Sequence, residues 1–251
     1  MIIHAYIQSW NEAVLMPYIL RYYGSFCDRI IVNDDGSTDG TRDMVRACPI
    51  AELRDLGSNG LNELLFLEHW HNDYKESRGV ADWVILADAD EFVYHPDMRS
   101  LLGQYQAQGI NLPKTQGYNM HSEGLPTTQG QIYEELFEGA PAPQECKRSV
   151  FDPKLDVLFT AGRHGLFGVS AESVETQGIP DIAILHYIAM GWDYFINRRF
   201  SYRPRMSSVN IAHGWGSFIF GIENRGEYDS GIALKRPVAE YGLCSGVTGL
   251  K

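Results

Sequence analysis

The first 110 residues alternate between short runs rich in branched apolar side chains and segments with apolar residues at helical spacing. That alternation restricts the fold more than any other feature. Residues 2–9 form a mostly apolar run of strand length. Residues 12–26 set Val14, Leu15, Tyr18, Ile19 and Tyr22 on one helical face. Residues 29–32 make a second strand, and the turn cluster Asp34-Asp35-Gly36-Ser37 follows it. Thr38 and Asp39 are placed to cap a helix that runs to Cys48. Residues 52–56 read as a third strand. Residues 61–78 read as one long helix with Leu64, Leu65, Leu67 and Trp70 toward the core, and residues 82–87 as the clearest strand. A helix over residues 98–108 follows Pro96. The order predicts right-handed βαβ units in an α/β fold, with a Rossmann-like, mainly parallel sheet flanked by helices. Such sheets bind ligands beyond the carboxyl ends of their strands, so the polar clusters after the first, second and fourth strands gather at one edge.

The pattern changes after residue 110. Residues 112–146 carry Pro113, Pro126, Pro141 and Pro143 among glycines and polar residues, and predict loops and short strands covering the site. Residues 182–187 predict a strand. Residues 191–206 predict a basic helix ending near Pro204, with Arg198, Arg199, Arg203 and Arg205. The last 45 residues, rich in glycine and aromatics, give no assignment. With no repeat or linker, the expectation is a single domain over residues 1–251.

Charge narrows the function. Thirty-two acidic residues against 21 Lys and Arg leave a net charge of −11, which argues against general nucleic-acid binding. No run approaches the roughly 20 apolar residues of a membrane helix. Cys27, Cys48, Cys146 and Cys244 are far apart, so neither a zinc knuckle nor a disulfide framework is expected. With no leading cationic and apolar segment, the expectation is a cytoplasmic protein, peripheral membrane association being compatible with it.

Two clusters carry chemistry. Asp88-Ala89-Asp90 follows the clearest strand, and paired carboxylate oxygens suit Mg²⁺ or Mn²⁺. The same residues also make an ordinary acidic turn. Glu91 adds a third carboxylate, whose repulsion a cation would relieve. Residues 33–41, Asn-Asp-Asp-Gly-Ser-Thr-Asp-Gly-Thr, combine a strand end, a tight turn and a helix start. An aspartate there can accept hydrogen bonds from a base or a ribose.

Residues 32–41 resemble the nucleotide-binding turn of family 2 glycosyltransferases, which have the GT-A fold. Ser9-Trp10-Asn11-Glu12 is similar to the polar turn after that family's first strand, and Asp88-Ala89-Asp90 to its metal-binding Asp-x-Asp. The resemblance spans about residues 1–105, and residues 82–92 look like a bacterial and viral subgroup whose specificity does not carry over. It implies a nucleotide-binding half over residues 1–110 and a variable, acceptor-binding half over residues 111–251. It implies an inverting transfer of sugar from a nucleotide-diphosphate donor to a glycan, saccharide or lipid-linked acceptor, with Mn²⁺ or Mg²⁺. Asp35 would read the nucleoside, with Gln8, Trp10, Asn11 and Glu12 beside the base or ribose. Asp88 would approach the ribose or the metal, Asp90 would coordinate the metal, and His186 would complete its shell. For the base that takes the acceptor proton, Glu91 is the first choice, with His164, Asp152 and Glu145 as alternatives. One or two of the arginines would face the diphosphate. Tyr118, His121, Trp192, Trp215 and Phe218 are candidates for an acceptor wall. Two other readings stand beside this one. A sugar-nucleotide nucleotidyltransferase would carry a glycine-rich basic loop where this chain has Trp10-Asn11-Glu12. An inactive nucleotide- or glycan-binding module would not need the acidic motif.

Overall fold

The structure, a computed structural model, describes residues 1–58, 60–220 and 225–241. Cys244 and the Phe218 side chain lie outside the described residues. The first half runs β1 (Ile3–Ser9), α1 (Met16–Gly24), β2 (Arg29–Asp34), α2 (Thr41–Ala47), β3 (Ala51–Asp55), α3 (Glu63–Asn72), β4 (Trp83–Asp88), β5 (Glu91–Tyr94) and α4 (Met98–Ala107). The second runs β6 (Thr115–Ser122), α5 (Ile132–Glu135), β7 (Glu138–Pro141), β8 (Val150–Phe151), β9 (Val157–Phe159), β10 (Leu166–Val169), β11 (Ile182–Met190), α6 (Trp192–Tyr202), α7 (Ser208–His213), α8 (Gly226–Leu234) and β12 (Arg236–Pro237).

The main sheet has the order β3-β2-β1-β4-β8, with the first four strands parallel and β8 antiparallel. The expected mixed α/β fold with a mainly parallel, helix-flanked sheet is therefore what the chain adopts. Both faces are covered, as parallel sheets require. Alternation divides each strand: Ile3, Ala5 and Ile7 join one core with Tyr18, Ile19 and Tyr22 of α1. Tyr6 joins the opposite core with Val84, Leu86 and the α3 side chains Phe66, Leu67 and Trp70.

Three elements differ from expectation in instructive ways. The first helix starts at Met16, not residue 12, because Asn11 has a left-handed backbone (φ 51°) and the Glu12 carbonyl closes a turn onto Leu15 and Met16. The expected helix over residues 61–78 ends at Asn72 and tightens into a 3₁₀ turn over Asp73–Ser77. That turn aims Tyr74 and Ser77 at the sheet, where Ser77 Oγ bonds His4 Nδ1 and Tyr6 Oη. Leu64, expected in the core, is half exposed. The polar segment after residue 112 holds an eight-residue strand, β6, central to a second sheet of order β12-β7-β6-β11-β5.

Only Ala89 and Asp90 separate β4 from β5, yet the two strands belong to different sheets. The Asp-x-Asp motif thus sits where the chain leaves one sheet for the other. Among the described residues no helix is long and apolar enough to cross a membrane.

Candidate active site

The loops after β1 and β2 are stitched together by side chains. Ser37 Oγ accepts the Asn11 N–H at 2.7 Å, and Asn11 Oδ1 accepts the Thr38 N–H at 2.8 Å. Thr41 Oγ1 accepts the Glu12 N–H, and Asp39 accepts those of Ala13 and Thr41. The elaborate turn therefore fixes two loops against each other, while the N-cap of α2 is Gly40, not Thr38 or Asp39 as expected. Gly36 (φ 77°) and Gly40 (φ 100°) take conformations that side chains rarely adopt.

Beyond these carboxyl ends lies a cavity of about 380 Å³, lined by Gln8 of β1, by Trp10, Glu12 and Asp35 from the first two loops and by Asp88, Asp90 and Glu91 from the sheet switch. His164, His186 and Glu145 reach it from the second half. Asn11 serves the turn and is not among the lining residues. Asp152, one of the expected bases, is not brought there: its carboxylate accepts the Lys154 N–H outside the cavity.

At the end of the cavity beside β2, Asp35 accepts the Ser58 N–H at 3.0 Å, and its carboxylate also holds Ser58 Oγ and the Arg205 guanidinium. The same guanidinium lies 3.6 Å from the Trp10 ring centroid, and Tyr202 packs against that ring at 5.4 Å. Asp90 Oδ2 takes Arg198 Nη1 at 2.6 Å and faces His186 Nε2 at 3.1 Å. Arg198 Nη2 reaches Glu12 at 2.5 Å, so one guanidinium spans the loop after β1 and the Asp-x-Asp turn. Burial opposes protonation of His186, but Asp90, Glu145 and Glu91 raise its pKa above the ordinary value.

Asp88 turns the other way. Its Oδ2 lies 3.0 Å from Arg163 Nη2 and 3.6 Å from Lys147 Nζ. Glu91 is buried, with one oxygen on Lys147 Nζ and the other 2.7 Å from Arg163. Burial alone would raise its pKa, but Lys147 and Arg163 hold it at about 2. A base needs a pKa near working pH and an oxygen open to the acceptor. Glu91 here neutralises two buried cations, an arrangement that opposes the base role expected of it. Arg163 is itself buried, has a left-handed backbone (φ 57°), lies over Trp70 and donates to the Leu86 carbonyl. His164 stays at the rim, its Nδ1 2.7 Å from the Gln144 carbonyl. A carbonyl only accepts, so Nδ1 carries the proton and Nε2 is left as an acceptor.

The expected trio of Asp88, Asp90 and His186 is not assembled. Among the described residues no three His, Cys, Asp or Glu side chains are grouped to hold a metal ion. Asp90 and His186 alone stand as a pair. Of the expected acceptor wall, Trp215 lines the cavity while Tyr118, His121 and Trp192 do not. The ion pairs of Lys147 and Arg163 with Asp88 and Glu91 were not legible in the sequence, because the partners lie more than 50 positions apart.

No family model matches the chain, and no curated protein matches it. Solved structures do. Glucosyl-3-phosphoglycerate synthase from Mycobacterium tuberculosis, in complex with Mn²⁺, uridine diphosphate and glucosyl-3-phosphoglycerate, aligns with 46% of this chain and 44% of its own at 19% identity and a TM-score of 0.34. S. aureus TarS aligns with 90% of this chain and 45% of its own at 11% identity and a TM-score of 0.47. A TarS structure of residues 1–349 aligns with 90% of this chain and 74% of its own at 13% identity and a TM-score of 0.46. The matched region is less than half the length of the first two.

Proposed function

We propose that this chain is a GT-A glycosyltransferase, which moves a sugar from a nucleoside-diphosphate donor to a hydroxyl of a glycan, saccharide or lipid-linked acceptor. One observation carries the reading: Asp35 and the Asp88-Ala89-Asp90 turn, 53 residues apart from Asp35 to Asp88, line one cavity at the carboxyl edge of a parallel sheet. The motifs whose resemblance raised the idea thus have a common ligand space.

Asp35 accepts hydrogen bonds from the nucleoside, and the Trp10 ring offers an apolar face beside it. Arg198 and Arg205 hold cationic groups on the same cavity wall, where a diphosphate is their natural partner once it competes with Glu12, Asp35 and Asp90. Asp90 and a neutral His186 would be the residues that hold Mn²⁺ or Mg²⁺. A divalent ion held there supplies charge neutralisation for the departing nucleoside diphosphate. Asp88, turned to Arg163 and Lys147, holds the sheet switch in place behind Asp90. Inversion at the anomeric carbon follows from the family resemblance.

Titration with UDP, with and without Mn²⁺, tests the reading. Asp90→Ala removes the metal-dependent gain in affinity, at least about tenfold, while Asp35→Ala weakens uridine binding without metal. Equal UDP affinity of wild type and Asp90→Ala in Mn²⁺ rejects the metal assignment. Equal uridine affinity of wild type and Asp35→Ala removes Asp35 from the nucleoside site.

A further inference from the structure

The carboxylates lining the cavity stand against cations, with one exception. Glu12 and Asp90 share Arg198, Asp35 holds Arg205, Asp88 and Glu91 share Arg163 and Lys147, and Glu145 lies 3.2 Å from Lys147. Glu63 lines the same cavity and, among the described residues, has no ion pair. It opens α3, where its N–H donates to Asn210 Oδ1 at 2.8 Å. Its Oε1 accepts the Gly162 N–H at 2.6 Å, which fixes the carboxylate against the loop that carries Arg163 and His164. Phe66 and Trp70, one and two turns further along α3, form an apolar wall beside it.

These positions describe what acceptor deprotonation requires: a carboxylate at the cavity wall, oriented by a neutral donor, with its basicity not cancelled by a cation. We propose that Glu63 is the general base of the transfer. The inference rests on the transferase reading above. The acceptor oxygen attacks the anomeric carbon as the bond from that carbon to the phosphate oxygen breaks, and the bonding pair leaves with the nucleoside diphosphate. The acceptor's proton passes to the Glu63 carboxylate and then to solvent.

The electrostatics agree with the geometry. Burial raises the Glu63 pKa above the ordinary carboxylate value. Asp88 on β4 adds to the rise, while the Gly162 N–H, Lys147 and Arg163 work against it. A base acts when deprotonated, so turnover falls as pH drops through this raised value.

Glu63→Gln separates proton transfer from structure, because an amide oxygen still accepts the Gly162 N–H but takes no proton. The assay is hydrolysis of UDP-, GDP-, ADP- and dTDP-glucose with Mn²⁺ present, water serving as acceptor. Wild type cleaves one of them, with a rate that rises to a plateau with pH. Glu63→Gln lowers kcat by about 10²–10⁴-fold, leaves KM within about twofold and loses the acidic limb of the profile. Glu63→Asp, which keeps the carboxylate, turns over faster than Glu63→Gln. Wild-type cleavage with equal kcat in Glu63→Gln, or with an unchanged acidic limb, overturns the base while leaving the transferase reading standing. A wild-type chain that cleaves none of the four overturns the transferase reading, and the base with it.

Discussion

Arg163 combines a left-handed backbone, a place over the Trp70 ring and a fork aimed at Asp88 and Glu91. Removing one member of such a buried set leaves charge without compensation. Arg163→Ala therefore costs about 3–5 kcal/mol of stability, measured by urea unfolding. The same set predicts an acid response. Glu91 has its pKa depressed from 4.5 to about 2 in the folded chain, so its contribution is present above 4.5 and is lost as pH falls toward 2. Glu91→Gln flattens the stability profile between those values; a profile as steep as that of wild type shows that other carboxylates control it. Asp35, Asp88 and Asp90 stand out in the sequence because each lies at or just after a strand end in a recognisable turn, and all three line the cavity. Glu91 stands out for another reason. Beside an acidic motif a carboxylate reads as reactive, and the cations that quench it come from positions 147 and 163.

Elements were legible where local pattern decides them and not where a distant partner does. The strands β1, β2 and β4 carry their own apolar runs. The long helix was misjudged because its end at Asn72 is set by what Tyr74 and Ser77 touch. β6 was hidden among glycines and polar residues because it is held by pairing with β11 and β7. The segment after α6 is anchored the same way: the Leu61 N–H donates to the Arg205 carbonyl, and the Ser207 N–H to the Leu61 carbonyl. Gly60 allows this approach. A Cβ there would stand 2.5 Å from the Arg205 carbonyl oxygen, on a backbone with φ 146°. Gly60→Ala therefore displaces Arg205 and, on the proposed function, weakens nucleoside-diphosphate binding by about tenfold, with a smaller effect on stability of about 1–2 kcal/mol. Calorimetric titration with UDP checks it; unchanged affinity means that the close approach does not position Arg205.

At the cavity, Glu145 excepted, the two halves divide the charges of the ion pairs. Glu12, Asp35, Asp88, Asp90 and Glu91 come from the first 110 residues, and Lys147, Arg163, His186, Arg198 and Arg205 come from the rest. β5 belongs to the first half but pairs with β11 of the second. A fragment of residues 1–110 would keep the parallel strands yet leave Glu91 unpaired and the β5 edge open. It is expected to show helical circular dichroism without a cooperative thermal transition. A sharp transition would mean that the first half is a self-sufficient domain. The net charge of −11 concealed this division, since a global sum records nothing about where cations gather.

The Arg205 guanidinium over Trp10 has a practical consequence. An indole's emission responds to the polar group resting on its face, so a ligand that displaces the guanidinium changes the light the protein gives back. On the proposed function, nucleotide occupancy can be followed in the unlabelled chain by that glow, and Trp10→Phe identifies its source.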